Sequence, residues 1–408
     1  MSNTEKVTIW TRTFTCIVIT NIAYCFSHFI TTPLIAPYAS FLGATATLVG
    51  VLAGLYSAIA FAMRPISGPM IVILNKKNLM IFTMILGIAV NLLYAVFGSI
   101  PMFVVSRVLH GVMYSFVGSL TMTLASDSLP KAKYASGFGL FVVSGVFGQA
   151  LGPSVGLWLQ NLGIRMGGEL MGFRMVFLGG AICYLIGLIP CFFIEKQRVL
   201  TKTERASLGP WYKSIIALPA VPYALMMAFY AMGYILFATY MVTFAEQYNI
   251  ANISMFFIVN SIATLAARPI GGPISDKISP KALFVPGTVL FALSMVFMAR
   301  ATTLPIVLVA AVFAGLGWGL VQPAVQACCM SSVPVEKSGA AANTNFLGVD
   351  AGFFIGPAIA GVIFSITASY HSVYAFGVVP VVLGILVYAV YAGILKAKKK
   401  ETADETAE

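Results

Sequence analysis

Charged residues are scarce in this sequence. Only 9% of its 408 residues are Asp, Glu, Lys or Arg, against about 25% in an ordinary soluble domain. Hydrophobic residues make up 59%, which excludes a water-soluble globular protein. Because a membrane-spanning helix needs about 20 mainly apolar residues, the pattern predicts twelve spans, and strands, which are shorter and alternate in polarity, do not fit. The predicted spans are centred near residues 19, 58, 88, 115, 146, 182, 232, 261, 290, 316, 353 and 383.

Residues for covalent or metal chemistry are also few. All six cysteines lie within predicted spans, which is typical of small packing residues and not of a disulfide framework. The segment GPSVG from Gly152 to Gly156 matches the pattern around a hydrolase nucleophile, but it lies inside a predicted helix and not on a strand-to-helix turn. The sequence contains no nucleotide-binding P-loop and no metal-spaced cluster. We therefore expect no enzyme, no cofactor and no metal.

The basic residues follow membrane topology. The net charge is +11, which in a soluble protein would suggest nucleic acid. Here 18 of the 24 Lys and Arg fall on the side of the membrane that carries both termini. The others are Arg165, Arg174 and Arg300 on the opposite side, and Arg64, Arg107 and Arg268 within predicted spans. Since cytoplasmic loops carry the positive excess, we expect both termini to be cytoplasmic. We also expect a monomeric, multi-pass inner-membrane protein, in contact with lipid and not with nucleic acid.

The sequence contains an internal duplication. RPISGP at residues 64–69 returns as RPIGGP at 268–273, and GQALGP at 148–153 returns as GFFIGP at 352–357. Both pairs have the same shift, since 268 − 64 and 352 − 148 are each 204. A duplicated unit in an apolar chain is typical of a transporter built around the seam between its halves.

A short signature follows the second hexapeptide. GPISDKISPK places Gly272, Asp276 and Lys277 at the spacing G, three residues, D, K, whereas the first copy keeps Gly68 but has Val72 in the acid's place. The pattern resembles a signature that follows helices 2 and 8 in the major facilitator superfamily. The chain resembles members of that superfamily over essentially its whole length. This resemblance implies a conformational switch, because an acid at a helix end can hold the positive N-terminus of a neighbouring helix. The alternative is a set of solvated loop charges.

A second signature lies in predicted helix 5. Gly139, Gly148, Gly152, Pro153 and Gly156 match G, eight residues, G, three residues, GP, two residues, G, which resembles the helix 5 motif of proton-driven exporters in this superfamily. Helix 11 repeats most of it, with Gly352, Gly356 and Pro357 among the matching residues. Glycines spaced by four let a partner helix approach closely, and we expect both stripes to seal the halves against each other. The alternative is ordinary small-residue packing.

Few ionisable residues fall inside the predicted spans. Asp350 alone among the acids is near the middle of one, and because a charge there costs roughly 2.5–3.5 kcal/mol, we expect it to be paired, protonated or facing water. Arg107 and His110 in SRVLHG resemble the RxxQG exporter signature, with histidine replacing glutamine. We expect these three residues to handle a proton. The alternatives are a structural Asp350 and an Arg107 bonded to helix carbonyls. Arg64 and Arg268 should reach the cytoplasmic surface and anchor their helices.

The resemblance also implies a central cavity lined by helices 1, 4, 7 and 10. Besides Arg107 and His110, the candidates for substrate binding there are Asn21, His28, Tyr114, Tyr230, Tyr234, Phe237, Tyr240, Trp318, Gln322 and Gln326. The tyrosines of helix 7 recur at helical spacing and form one aromatic face. Such a wall suits a small, partly apolar organic substrate, and packing is the alternative for each residue.

The predicted architecture is an all-α polytopic membrane protein with two pseudo-symmetric six-helix bundles, the major facilitator fold. We expect bundles at residues 1–194 and 214–396, a cytoplasmic linker at 195–213 and a disordered tail at 397–408. The predicted function is secondary active transport of small organic compounds across the cytoplasmic membrane by alternating access, as proton-coupled efflux. The alternatives are proton-coupled uptake of an organic anion or metabolite and a non-transporting membrane sensor.

Overall fold

The computed structural model describes the backbone of residues 8–130, 133–195, 216–277, 281–334 and 338–405. Side chains are described throughout these ranges except at residues 135, 272, 273, 275–277, 338, 339 and 394–405. Every regular element within the described ranges is a helix, and these helices form 12 spans that are long and apolar enough to cross a membrane. The predicted fold class and number of spans are confirmed.

We number the spans α1 to α12 in chain order. The first eleven are Arg12–Phe41, Ala46–Ile73, Lys76–Val96, Ile100–Ser128, Tyr134–Gly167, Glu169–Cys191, Val221–Gln247, Ser254–Lys277, Lys281–Met298, Leu304–Ser331 and Ser338–Thr367. The twelfth consists of Tyr370–Phe376 followed by Val378–Glu405, so the part of the predicted disordered tail that the structure describes, residues 397–405, is helical. Most of the predicted linker, residues 196–213, lies outside the described residues, and the proposed bundle boundaries stay a prediction.

Polar caps and one glycine set the limits of several spans. Thr11, Thr45 and Asn75 each accept a hydrogen bond from the backbone N–H three residues further on, at 3.1, 3.4 and 3.2 Å. These bonds satisfy donors that the first helical turn leaves free. Gly168 alone joins α5 to α6, with φ at 83°, a conformation that glycine adopts without steric cost.

The predicted glycine stripes pack within the halves. A Cβ atom on Gly148, Gly152 or Gly156 of α5 would collide with the backbone of α1, and one on Gly352 or Gly356 of α11 would collide with the backbone of α7. These contacts are equivalent under the internal repeat. These five glycines therefore hold helices of the same half together, while Pro357 and Gly361 of the same stretch of α11 meet α2 of the other half. The expectation that the stripes seal one half against the other stays a prediction.

The seam between the halves is formed mainly by α2 against α11 and by α5 against α8, and the last turns of α1 also contact α7. On α2, a Cβ at Gly50 would overlap the carbonyl oxygen of Pro357, and one at Gly54 would lie 2.8 Å from the carbonyl oxygen of Phe354. Gly361 approaches α2 just as closely from the other side. Glycines spaced by four on α2 thus allow backbone-to-backbone packing. This close contact lies at the end of the helices opposite the chain termini.

The seam is wider toward the termini. At Gly68 on α2, a Cβ would lie 3.9 Å from Oδ1 of Asn343 on α11, which is an ordinary van der Waals separation. The predicted switch glycine Gly68 therefore faces the other half without the tight packing seen at Gly50.

The first copy of the loop signature ties together helices of its own half. Lys76 pairs with Asp127 at the end of α4, and Lys77 Nζ donates to the carbonyl oxygen of Phe192 at 2.6 Å. The side chain of Val72, in the acid's place, is exposed. The second copy, with Gly272, Asp276 and Lys277, has its side chains outside the described residues, so its role stays a prediction.

Candidate functional site

A buried ion pair crosses the seam. Arg64 on α2 donates through Nε to Oδ2 of Asp350 on α11 at 2.8 Å, and the two side chains are 5% and 1% exposed. Ser57 on α2 donates to the backbone carbonyl of Asp350 at 2.9 Å. Asp350 is thus buried and paired, one of the three states expected for a carboxylate at this depth. Its other oxygen, Oδ1, meets no hydrogen-bond donor within the described part of the chain.

The Arg64 side chain is buried, so the expectation that it extends to the cytoplasmic surface as an anchor is wrong. Its Nη1 donates to Oγ of Ser119 at 2.9 Å and to the carbonyl of Ser115 at 3.3 Å, both on α4, and its guanidinium lies 4.7 Å from the ring of Phe346. Because α2 continues to Ile73, Arg64 lies about 13 Å from that end at 1.5 Å per residue. Its side chain instead points between α4 and α11.

Arg107 is bonded to backbone carbonyls. Its Nε donates to the carbonyl of Leu52 at 2.8 Å, its Nη2 donates to the carbonyl of Ala53, and its guanidinium lies 4.6 Å from the ring of Tyr56. No ion pair joins Arg107 to Asp350 among the described residues. The geometry agrees with the alternative in which Arg107 holds α4 against α2.

A buried cluster of histidines and tyrosines lies beside Arg107. His28 stacks on Tyr114 with ring centroids 5.5 Å apart and lies 5.9 Å from His110. Tyr56 lies 5.3 Å from His110 and 5.0 Å from Tyr114, and the Tyr94 hydroxyl is 3.5 Å from Nδ1 of His110. Nδ1 of His28 and the Tyr56 hydroxyl have no hydrogen-bond partner within the described ranges. The structure therefore brings three of the predicted cavity residues together, and buried polar atoms remain there to bind a ligand or water.

An aromatic wall occupies the other half. Tyr234 stacks on Trp318 with ring centroids 3.8 Å apart, and Tyr230 stacks on the same indole at 5.6 Å. Gln149 of α5 donates to the Tyr234 hydroxyl at 2.6 Å, and that hydroxyl donates to Oδ1 of Asn260 at 3.3 Å. Because Gln149 belongs to the first half, the wall is also tied across the seam.

Some predicted cavity residues make packing contacts. Asn21 on α1 donates to Oγ of Ser144 on α5 at 2.9 Å, and the Tyr240 hydroxyl donates to the carbonyl of Pro357 at 3.0 Å. Phe237 is buried among other aromatic rings. These side chains serve helix packing in this conformation.

Gln322 and Gln326 of α10 form a polar pair. Both are half-buried, and Nε2 of Gln322 donates to Oε1 of Gln326 at 3.1 Å. They lie one and two turns beyond Trp318 on the same helix face, so they extend the polar part of the wall.

Sequence reasoning missed several residues of this site, chiefly Arg64, Tyr56 and Gln149. For Arg64 a signal was present, because it opens the first copy of the repeated hexapeptide inside a predicted span. An ionisable residue at that depth is a functional candidate in its own right.

Comparisons with known proteins agree on the family. The profile of the Major Facilitator Superfamily matches residues 17–342 and 223–408. Multidrug resistance protein MdtG of Enterobacter lignolyticus (strain SCF1) is 25% identical over 391 residues, which cover 91% of this chain and 89% of the relative. Multidrug resistance protein 2 of Bacillus subtilis (strain 168) is 20% identical over 387 residues, which cover 91% and 92%.

Solved structures show the same fold. A peptide transporter in complex with alafosfalin superposes with a TM-score of 0.74 at 14% identity, and the match covers 93% of this chain and 94% of that one. With twelve membrane spans, an internal duplication and a family profile that matches nearly the whole sequence, this chain belongs to the major facilitator superfamily and is a membrane transporter of that fold.

Proposed function

We propose that this protein exports small organic compounds across the inner cell membrane in exchange for protons. The observation that carries the proposal is the Arg64–Asp350 pair, which joins α2 of the first half to α11 of the second. Protonation of the carboxylate removes the charge that holds this bond, so proton binding weakens the tie between the halves. Rocking of the halves then depends on the state of Asp350.

The neighbours of Arg64 make this step feasible. When Asp350 is neutral, the guanidinium still has Ser115, Ser119 and the ring of Phe346 as partners, so it is not left without bonds in a low-dielectric interior. A proton that moves down a potential of 100 mV supplies roughly 2.3 kcal/mol, which can hold about a fifty-fold substrate gradient at one-to-one exchange.

Export is supported by the relatives and by the wall. Two relatives that cover most of the chain are named multidrug resistance proteins. The stacked rings of Tyr230, Tyr234 and Trp318 offer an extended apolar face with few polar groups, which suits partly apolar organic molecules. The basic excess on the side of the termini supports cytoplasmic termini.

Uptake of an organic anion with protons is the second candidate. It is favoured by the excess of arginine over carboxylate within the spans, where Arg64, Arg107 and Arg268 stand with Asp350 as the only acid near mid-span. The two directions differ in one observation. In cells, export depletes the substrate and uptake accumulates it.

Proton coupling is tested in proteoliposomes loaded with a pH-sensitive dye. A panel of organic compounds first identifies substrates whose gradients drive proton movement. We expect Asp350→Asn to lower this coupled proton flux about tenfold or more, because an amide cannot be protonated at that position, and Asp350→Glu to retain part of it.

The matched control is Asp127→Asn, since Asp127 is a partly exposed acid paired with Lys76 outside the seam. It should change the flux less than about twofold. Unchanged coupling in Asp350→Asn, with the variant monodisperse on gel filtration, would remove Asp350 from the mechanism and with it the proposed route of the proton.

A further inference from the structure

The internal repeat places two arginines at equivalent positions. Arg64 on α2 and Arg268 on α8 differ by the shift of 204 and each precedes a proline in its copy of the hexapeptide. Each also stands on a helix that forms the seam, since α2 packs on α11 and α8 packs on α5. The two arginines therefore invite direct comparison.

Their partners are not equivalent. Arg64 binds Asp350 and the hydroxyl of Ser119. The same shift leads from Asp350 to Val146, since 350 − 204 is 146, and from Ser119 to Pro323, since 119 + 204 is 323. A valine side chain accepts no hydrogen bond and neither does a proline ring, so both side-chain acceptors that hold Arg64 are missing around Arg268.

Arg268 has no anionic partner within the described part of the chain. Its side chain is half-buried, and its buried Nε meets no hydrogen-bond acceptor among the described residues. A guanidinium stays charged in proteins, and an uncompensated charge in a membrane interior is costly. The expectation that Arg268 only anchors α8 at the surface does not account for a buried, unbonded Nε.

The aromatic wall is contacted by the face of α8 that also carries Arg268. Asn260 on that face accepts a hydrogen bond from the Tyr234 hydroxyl at 3.3 Å, and the Tyr234 ring is stacked on Trp318. Arg268 lies two turns further along α8, about 12 Å away at 1.5 Å per residue. Because helical side chains lean toward the N-terminus of their helix, its guanidinium is directed toward the wall. A guanidinium near a rigid aromatic surface matches a molecule that carries a carboxylate on an aromatic ring. The guanidinium can bind the carboxylate through two hydrogen bonds, and the aromatic wall can stack on the ring.

We propose that Arg268 binds the carboxylate of an aromatic organic acid, which supplies from outside the chain the anion that Asp350 supplies to Arg64. The proposal deepens the transport function above and rests on it, by naming the substrate class. In the ligand-bound protein both arginines of the seam are then paired with a carboxylate. Arg64 is paired with Asp350 of the chain, and Arg268 is paired with the substrate.

The test measures equilibrium binding to the purified full-length protein by calorimetry, with no gradient present. The probes are benzoate and 1-naphthoate, each compared with its neutral amide of nearly the same shape. We expect the carboxylates to bind at least about tenfold more tightly than the amides, or roughly 1.4 kcal/mol. Arg268→Gln should abolish that preference, and Arg268→Lys should keep part of it because a point charge replaces the fork.

Two further variants sharpen the result. Arg300→Gln removes an exposed arginine from the loop between α9 and α10 and should leave the preference intact. Val146→Asp places a carboxylate at the position equivalent to Asp350 and should weaken naphthoate binding about tenfold or more, because Arg268 then has a partner within the chain.

Equal affinity for acid and amide, a preference that survives in Arg268→Gln, or no carboxylate binding at about 10 mM would each overturn the proposal. The outcome is separate from proton coupling. Asp350→Asn should retain the carboxylate preference while it loses coupled proton flux, and coupled export of neutral or cationic compounds would stand even if Arg268 bound no anion.

Discussion

Replacing Gly50 by alanine should lower the transport rate about tenfold or more, whereas Gly118→Ala should leave it close to that of the original protein. A Cβ at Gly50 would overlap the carbonyl oxygen of Pro357 and lie 3.0 Å from the Tyr240 hydroxyl and 3.1 Å from Cα of Gly361. Two of these neighbours are backbone and cannot turn aside, so α2 and α11 must separate. Overpacking of this kind costs about 1–3 kcal/mol, which disfavours the conformation closed on the face away from the termini.

The comparison with Gly118 isolates the steric effect. Both glycines are helical, so both substitutions gain up to about 1 kcal/mol of helix propensity. At Gly118, however, a Cβ would meet nothing within 4 Å. Substrate flux in proteoliposomes and the thermal midpoint in detergent give the two measurements. If the Gly50 and Gly118 variants transported equally well, the close approach of α2 to α11 would not limit the cycle.

Removing one partner of the Arg64–Asp350 pair should destabilise the protein strongly, and removing both should restore most of the loss. Asp350→Leu leaves Arg64 charged, buried and without its carboxylate. We expect this to lower the free energy of unfolding by about 4 kcal/mol. In the double variant with Arg64→Met no charge remains to be compensated, and apolar replacements of buried pairs are often close to neutral. Asp350→Asn should cost less, since its amide oxygen still accepts from Nε.

The measurement is a double-mutant cycle of unfolding free energies in detergent micelles. Asp127→Asn is the control, because the Lys76–Asp127 side chains are 20% and 37% exposed and an exposed pair contributes about 1 kcal/mol or less. Additive losses for the two single variants would show that the pair contributes no coupling energy, and the bond across the seam would then lose its role.

The fold could be predicted because its signals are local in the sequence. A membrane span is recognised from about 20 apolar residues in a row. The duplication is recognised from hexapeptides that recur at one constant shift along the sequence. The depth of Asp350 followed in the same way, from its position near the middle of a predicted span. The aromatic face of α7 was also visible, and Tyr230 and Tyr234 do share one wall with Trp318.

The candidate site was predicted less completely. Its members on α1, α4, α7 and α10 came from a family resemblance, and Tyr56, Arg64 and Arg268 on α2 and α8 were assigned to packing or anchoring or were overlooked. Proximity to a helix end was given more weight than depth. Arg64 lies deep enough to meet α4 and α11 and does not extend to the surface.

By itself the sequence determined the twelve spans, their internal repeat, the depth of Asp350 and the glycine stripes that permit close helix packing. Only the tertiary structure decided which neighbour each of these meets: Arg64, 286 residues away, for Asp350, and α1 and α7 for the stripes of α5 and α11. The reason is physical. A period of 3.6 residues states which side chains share a helix face, but the helix that covers that face is chosen by the packing of all twelve together.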